Sequence, residues 1–158
     1  MREILFRGKR MDNGEWVEGC FVRDTEAWGK SDSHAYIVNH KHPSSCFGKD
    51  IYVEVDPATV GQYTGLKDKN GKLIFEGDLL NGFVYPFLNR GEHNYFAEVV
   101  WFENSPAFGL VTHKNPKADV TGISEGNTDY MEYFVSDDWE VIGTIHDSPE
   151  LLGGTSNG

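Results

Sequence analysis

The chain has 158 residues, with 14 Lys and Arg against 25 Asp and Glu, for a formal net charge of −11. At 39% hydrophobic and 13% aromatic it is too apolar for a disordered chain, and no apolar run approaches the roughly 20 residues of a membrane-spanning helix. Two cysteines, Cys20 and Cys46, make no disulfide framework, and residues 1–9 contain no apolar core of a secretory signal. The expectation is a cytoplasmic protein with reduced thiols.

The charge is uneven. Residues 1–55 carry 8 basic and 9 acidic side chains, and residues 56–158 carry 6 basic and 16 acidic. Lys117 is the last basic residue, and nine acidic residues follow it. Such a surface repels nucleic acid, whose non-specific affinity comes from Lys and Arg on phosphates. A basic partner, or simply a solvated acidic face, suits it better.

Frequent turn signals, few Ala and many β-branched and aromatic residues predict a mainly β fold. In chain order, residues 3–8 form a first strand. Asp12-Asn13-Gly14 makes a turn, and residues 15–22 return. There, Trp16, Cys20 and Val22 share one face and Val17 and Phe21 the other, which predicts burial on both sides, with Cys20 as a core residue rather than a nucleophile. Residues 24–34 and 40–50 are polar loops around a short strand at 35–39. A strand at 51–55 ends the N-terminal part. Asp56-Pro57 opens the next unit. Asn70-Gly71 turns into a strand at 73–75, and Glu76-Gly77-Asp78 reverses the chain into Leu79-Leu80. Residues 95–102 and 108–113 form the longest hairpin, and residues 114–129 read as a long polar loop. A last strand covers 140–146. Ser148-Pro149-Glu150 then reads as N-cap, Pro at the first position and acid in the first turn of a short C-terminal helix. Residues 153–158 carry no core-forming side chain and read as a disordered tail. Short, closely punctuated strands make a small barrel or sandwich the expected core.

Three segments carry a resemblance. Met1-Arg2-Glu3-Ile4-Leu5-Phe6-Arg7-Gly8-Lys9 with Asn13-Gly14-Glu15-Trp16-Val17-Glu18-Gly19 resembles the opening of YopX-family phage proteins. Gln62-Tyr63-Thr64-Gly65-Leu66-Lys67-Asp68-Lys69-Asn70-Gly71-Lys72, followed by Ile74-Phe75-Glu76-Gly77-Asp78, resembles the signature of that family. The ending, Glu140-Val141-Ile142-Gly143-Thr144-Ile145-His146-Asp147-Ser148-Pro149-Glu150-Leu151-Leu152, is similar to the family's. The resemblance implies a phage or prophage product, a largely β fold with some α+β character, self-association, and an SH3-like small β-barrel in the second part. The expected organisation is therefore an N-terminal β region over 1–55, a barrel region over 56–152 and a tail over 153–158. The resemblance implies no molecular function and no catalytic residues. Physically, the signature reads as turn chemistry: Gly65, Gly71 and Gly77 at reversals, with Asp68 and Asn70 bonding backbone in the turn.

Sites of chemistry are weak. His34, His40, His42 and Cys46 are of types that could ligate zinc, but their spacing matches no established motif and a solvated loop explains them. Asp68-Lys69-Asn70-Gly71 starts like a calcium loop, but its Gly comes too early and Lys72 stands where oxygen is needed. Glu92, His93, Glu98, Glu103 and His113 could supply acid–base pairs. Glu98 and His113 fall on neighbouring strands of one hairpin, where cross-strand ion pairing explains them equally well. Asp137-Asp138 is a poor metal pair, since adjacent strand residues point oppositely. No nucleophile elbow, Walker loop or dinucleotide fingerprint is present. No catalytic, cofactor or metal residue is therefore assigned. Trp28, Phe47, Phe83, Tyr85, Phe87, Tyr95 and Phe96 lie in or beside loops, and the apolar run 83–88 suits either its own core or a subunit interface.

Three functions follow, in order. The first is a non-enzymatic oligomeric module that binds a phage or host protein with a basic surface, or mimics DNA to occupy a nucleic-acid-binding host protein. The second is a nucleic-acid-binding protein using Arg2, Arg7, Lys9 and Arg10 on phosphates. The third, with least support, is a small metal-dependent hydrolase.

Overall fold

The computed structural model describes residues 3–23, 34–38, 52–82, 95–114, 124–131 and 138–152. Eleven strands and short 3-10 turns make up the described secondary structure, and the strand pairs among the described residues are antiparallel. The mainly β expectation holds. The chain divides into two compact units, Met1–Gly65 and Leu66–Gly158. The division falls inside a strand whose first residues, Gly61 and Gln62, pair with the first strand of the chain.

In the first unit, β1 (Phe6–Lys9), β2 (Trp16–Arg23), β3 (Ala35–Val38), β4 (Tyr52–Val55) and the start of β5 (Gly61–Lys67) are ordered β4-β3-β2-β1-β5. β6 (Leu73–Phe75) follows β5 at the edge of that order. The β1–β2 turn closes as its sequence predicts: the Asn13 side chain accepts from the Glu15 N–H at 2.9 Å. Val17, Ala35, Ile37 and Val55 form the core, with Phe6, Phe21, Val53 and Val60 packed against it. The two faces of β2 are as predicted, but only the Val17/Phe21 face is inward. Cys20 and Val22 are exposed, so Cys20 is not a core residue. Asp56 caps the 3-10 turn Pro57–Thr59, accepting from the Ala58 N–H at 2.9 Å.

In the second unit, β7 (Asp78–Gly82), β8 (Tyr95–Phe102), β9 (Ala107–Lys114), β10 (Thr128–Tyr130) and β11 (Glu140–Thr144) are ordered β10-β9-β8-β7-β11. The last strand thus returns beside the first of the sheet. Among the described residues this sheet does not close into a barrel. Closure would require β10 to pair with β11, and β10 is three exposed residues long with β9 as its partner. β10 itself is an addition, since its residues lie in or next to the stretch read as a polar loop. Ile74, Leu80, Tyr95, Ala97, Val99, Phe108, Leu110, Met131, Trp139 and Val141 make the core of this unit. Tyr95 is 4% exposed and packs edge-on against Trp139 at 5.5 Å, so it is a core residue and not a loop aromatic. Its hydroxyl shares a hydrogen bond with Thr112 at 2.7 Å, and burial pushes its pKa up. The C-terminal helix is the 3-10 turn Pro149–Leu152.

Candidate functional site

The signature segment is best understood from Asp68. Its side chain is 4% exposed and accepts three backbone N–H groups: Asn70 at 2.8 Å and Lys72 at 2.9 Å on Oδ1, and Val141 at 3.0 Å on Oδ2. Burial raises the carboxyl pKa, but the three N–H bonds and the Lys72 charge outweigh it, and the net shift is downward. Backbone N–H donors occupy both of these oxygens, so the calcium-like start of this loop is a turn. The Asn70-Gly71 turn, with Gly71 at φ +80°, is therefore pinned to β11. Lys69 reinforces this twice, donating its N–H to the Trp139 carbonyl at 2.9 Å and pairing with Glu140 at 2.5 Å. The Lys69 ammonium, as a hydrogen bond and then a charge, lowers the Glu140 pKa. The second signature turn is fixed in the same way. Asp78 is fully buried and accepts from the Phe75 N–H at 2.8 Å, while Gly77 bonds to the Val99 carbonyl and to the Ile145 N–H.

The candidate phosphate contacts are engaged within the protein. Arg7 is 7% exposed, with its guanidinium 4.5 Å from the Trp16 ring centroid. Arg10 makes two bonds to the Asp12 carboxylate, at 2.8 and 2.6 Å, and Lys9 lies 5.6 Å from the Trp16 ring. Arg2 lies outside the described residues.

The other candidates do not converge. Glu98 and His113 are brought together across β8 and β9 at 2.8 Å, as a half-buried cross-strand pair. Glu103 sits exposed in the β8–β9 turn. His34 bonds to Glu54 at 2.7 Å, while His40, His42 and Cys46 lie outside the described residues, as do Glu92, His93, Asp137, Trp28, Phe47 and the run 83–88. Among the described residues, no three His, Cys, Asp or Glu side chains are grouped to hold a metal. No helix among them is long and apolar enough to cross a membrane.

A shallow concave surface lies at the β8–β9 tip beside β10. It is a groove of about 440 Å³ lined by Trp101, Phe102, Glu103, Asp129 and Tyr130 among others. Trp101 and Tyr130, 40% and 47% exposed, are the two large exposed hydrophobic residues of this unit among those described. Gly109 lies close beneath Phe102: a Cβ there would stand 2.1 Å from the Phe102 ring and 2.6 Å from the Asp129 carbonyl oxygen. The missing side chain lets Phe102 lie over the strand and meet Tyr130 edge-on at 5.4 Å, while Trp101 meets Phe108 edge-on at 5.0 Å. Trp101 could have been anticipated as the rim end of the inward column Tyr95, Ala97, Val99. Tyr130 carried no such signal, because its strand is too short to alternate.

The model of the YopX protein family matches residues 5–153. The chain belongs to the YopX family. No curated protein matches it. Among solved structures, protein EF1440 from Enterococcus faecalis is similar at 21% identity over 96% of this chain and 99% of that one, with a TM-score of 0.42. Within the YopX match, the Asp68 and Asp78 turns belong to the fold itself, while the aromatic groove lies outside the segments that carried the resemblance.

Proposed function

We propose that this YopX-family protein is a non-enzymatic, self-associating module that binds a phage or host protein with a basic surface. One observation carries the reading: nine acidic residues and no Lys or Arg follow Lys117. Glu125, Asp129, Asp147 and Glu150 of that set are exposed. Glu140 pairs with Lys69. A surface of this kind attracts cationic protein and raises its association rate, an effect that salt screens over about 8 Å at physiological ionic strength.

Co-purification of the tagged protein from its own host at low and high salt tests this. The expected partner has a basic surface and is released at least about tenfold more by 0.5 M than by 0.05 M salt, as expected for screened charge. A partner that stays bound at high salt, or one that is acidic, overturns the reading. Light scattering of the purified protein tests self-association, and a monomer at high concentration removes that part.

A further inference from the structure

We propose that the outward face of β2, β3 and β4 is where one copy of this chain meets a second. The proposal rests on the self-association read above and gives it a place. The register sets Cys20 opposite Val38 and Val38 opposite Tyr52, and sets Val22 opposite Tyr36 and Tyr36 opposite Glu54. Directly paired residues share a face, so these six side chains form two neighbouring rows. Phe21, Ile37 and Val53 fall between the rows and point the other way, into the core. A sheet with one face in the core usually turns polar residues outward, yet Glu54 is the one charged residue of the six. Val22 and Tyr52 are 42% and 61% exposed, Cys20 is exposed, and Tyr36 is half-buried between β2 and β4. A contiguous exposed apolar patch of this kind marks a contact surface.

Charge selects a second copy as the occupant. Two copies carry the same charges, so they meet best where those charges balance. Residues 1–55 hold 8 basic and 9 acidic side chains, and residues 56–158 hold 6 and 16. Contact through the second part sets acid against acid, and contact through the first does not. The balance holds on the face itself. Glu54 is bonded to His34 at 2.7 Å, and Glu18, next along β2, lies opposite Arg7. Each carboxylate there has a basic side chain beside it. The His34 ring also stacks on Tyr36, with centroids 6.2 Å apart, which fixes that end of the patch. The two kinds of binding then use different parts of the chain: the acidic part meets the basic partner, and the balanced part meets a second copy.

The test uses the whole chain carrying Cys46→Ser, which leaves Cys20 as its one thiol. Sedimentation over a concentration series should show self-association whose dissociation constant changes less than about threefold between 0.05 and 0.5 M salt, since the contact is apolar and balanced. Iodoacetamide should alkylate Cys20 at least about tenfold more slowly in the associated form than in the dilute monomer, because the contact excludes water. Tyr52→Lys and Val22→Glu should each weaken association at least about tenfold and restore the reactivity of Cys20, as loss of a buried anchor does. Tyr130→Lys, an exposed site in the second unit, should change neither. Circular dichroism and melting of these variants should match the parent, because all three side chains are exposed. If the chain associates, but neither substitution weakens it and Cys20 stays as reactive as in the monomer, the face is overturned while self-association stands. Association that strengthens about tenfold or more with salt places the contact on the acidic part, and also overturns the face. A chain that stays monomeric throughout removes self-association itself. If Tyr52→Lys instead releases the co-purified partner, the face takes a different protein and not a second copy.

Discussion

Asp68→Ala should destabilise the second unit by about 4 kcal/mol, a large fraction of the 5–15 kcal/mol typical of a domain. Three backbone N–H groups lose one charged acceptor together, and hydrogen bonds to charged groups are each worth about 1.5–3 kcal/mol. The sum is discounted because the Asn70 and Lys72 amides lie in a turn that water can reach. Asp68→Asn should cost about half as much, since it keeps one carbonyl oxygen but turns an amide donor towards other donors. The pH dependence has a defined sign. The folded-state pKa of Asp68 lies below its unfolded value of about 3.9, so its contribution is complete above that value. It is lost as pH falls through the lower, folded pKa. Urea unfolding should therefore show a wide gap between parent and Asp68→Asn at pH 7, and a narrower one at pH 3. Hydrogen exchange at the Val141 amide should rise in both variants. A gap of the same width at both pH values would show that the carboxylate charge is not what holds β11.

The same residue shows what the sequence could reveal. An Asp two residues before Asn-Gly is a local turn signal, and the turn forms as read. The bond from Asp68 to Val141, 73 positions away, is not local and left no trace in periodicity or spacing. The hairpin of β8 and β9 was legible for a similar reason: two long apolar-rich runs meet across Pro106, and the loop between them is short. β10 was not, because Thr128–Tyr130 is polar and short and becomes a strand only by pairing with β9. The acidic bias after Lys117 was plain. The aromatic contact of Phe102 with Tyr130 was not, because it depends on a register that sets Tyr130 against Gly109 and on Phe102 filling the space a side chain would take.

Gly19→Ala should cost the first unit 3 kcal/mol or more, beyond the about 1–3 kcal/mol of ordinary overpacking. A Cβ at this position would lie 2.1 Å from the Val38 carbonyl oxygen and 2.8 Å from its carbon. These are backbone atoms of β3, so no rotamer change relieves the contact. Relief requires β3 to move about 1 Å away from β2, near the range where a β-ladder hydrogen bond is lost. That shift loosens the pairs Cys20↔Val38 and Phe21↔Ile37. It also opens the core around Ile37 and Ala35, which are 0% and 1% exposed. Gly14→Ala is the matched control. Gly14 has φ +72° and nothing within 4 Å of the position its Cβ would take, so only the left-handed backbone cost of about 1–2 kcal/mol remains. Thermal melts of the two variants separate close approach from backbone conformation. Equal losses would mean that the β2–β3 contact is not the reason for glycine at position 19. A larger loss at position 19, with faster exchange at the amides of β3, would place the cost in the packing of that strand. A glycine in a strand interior is the sequence mark of such an approach, and Gly19 carries it.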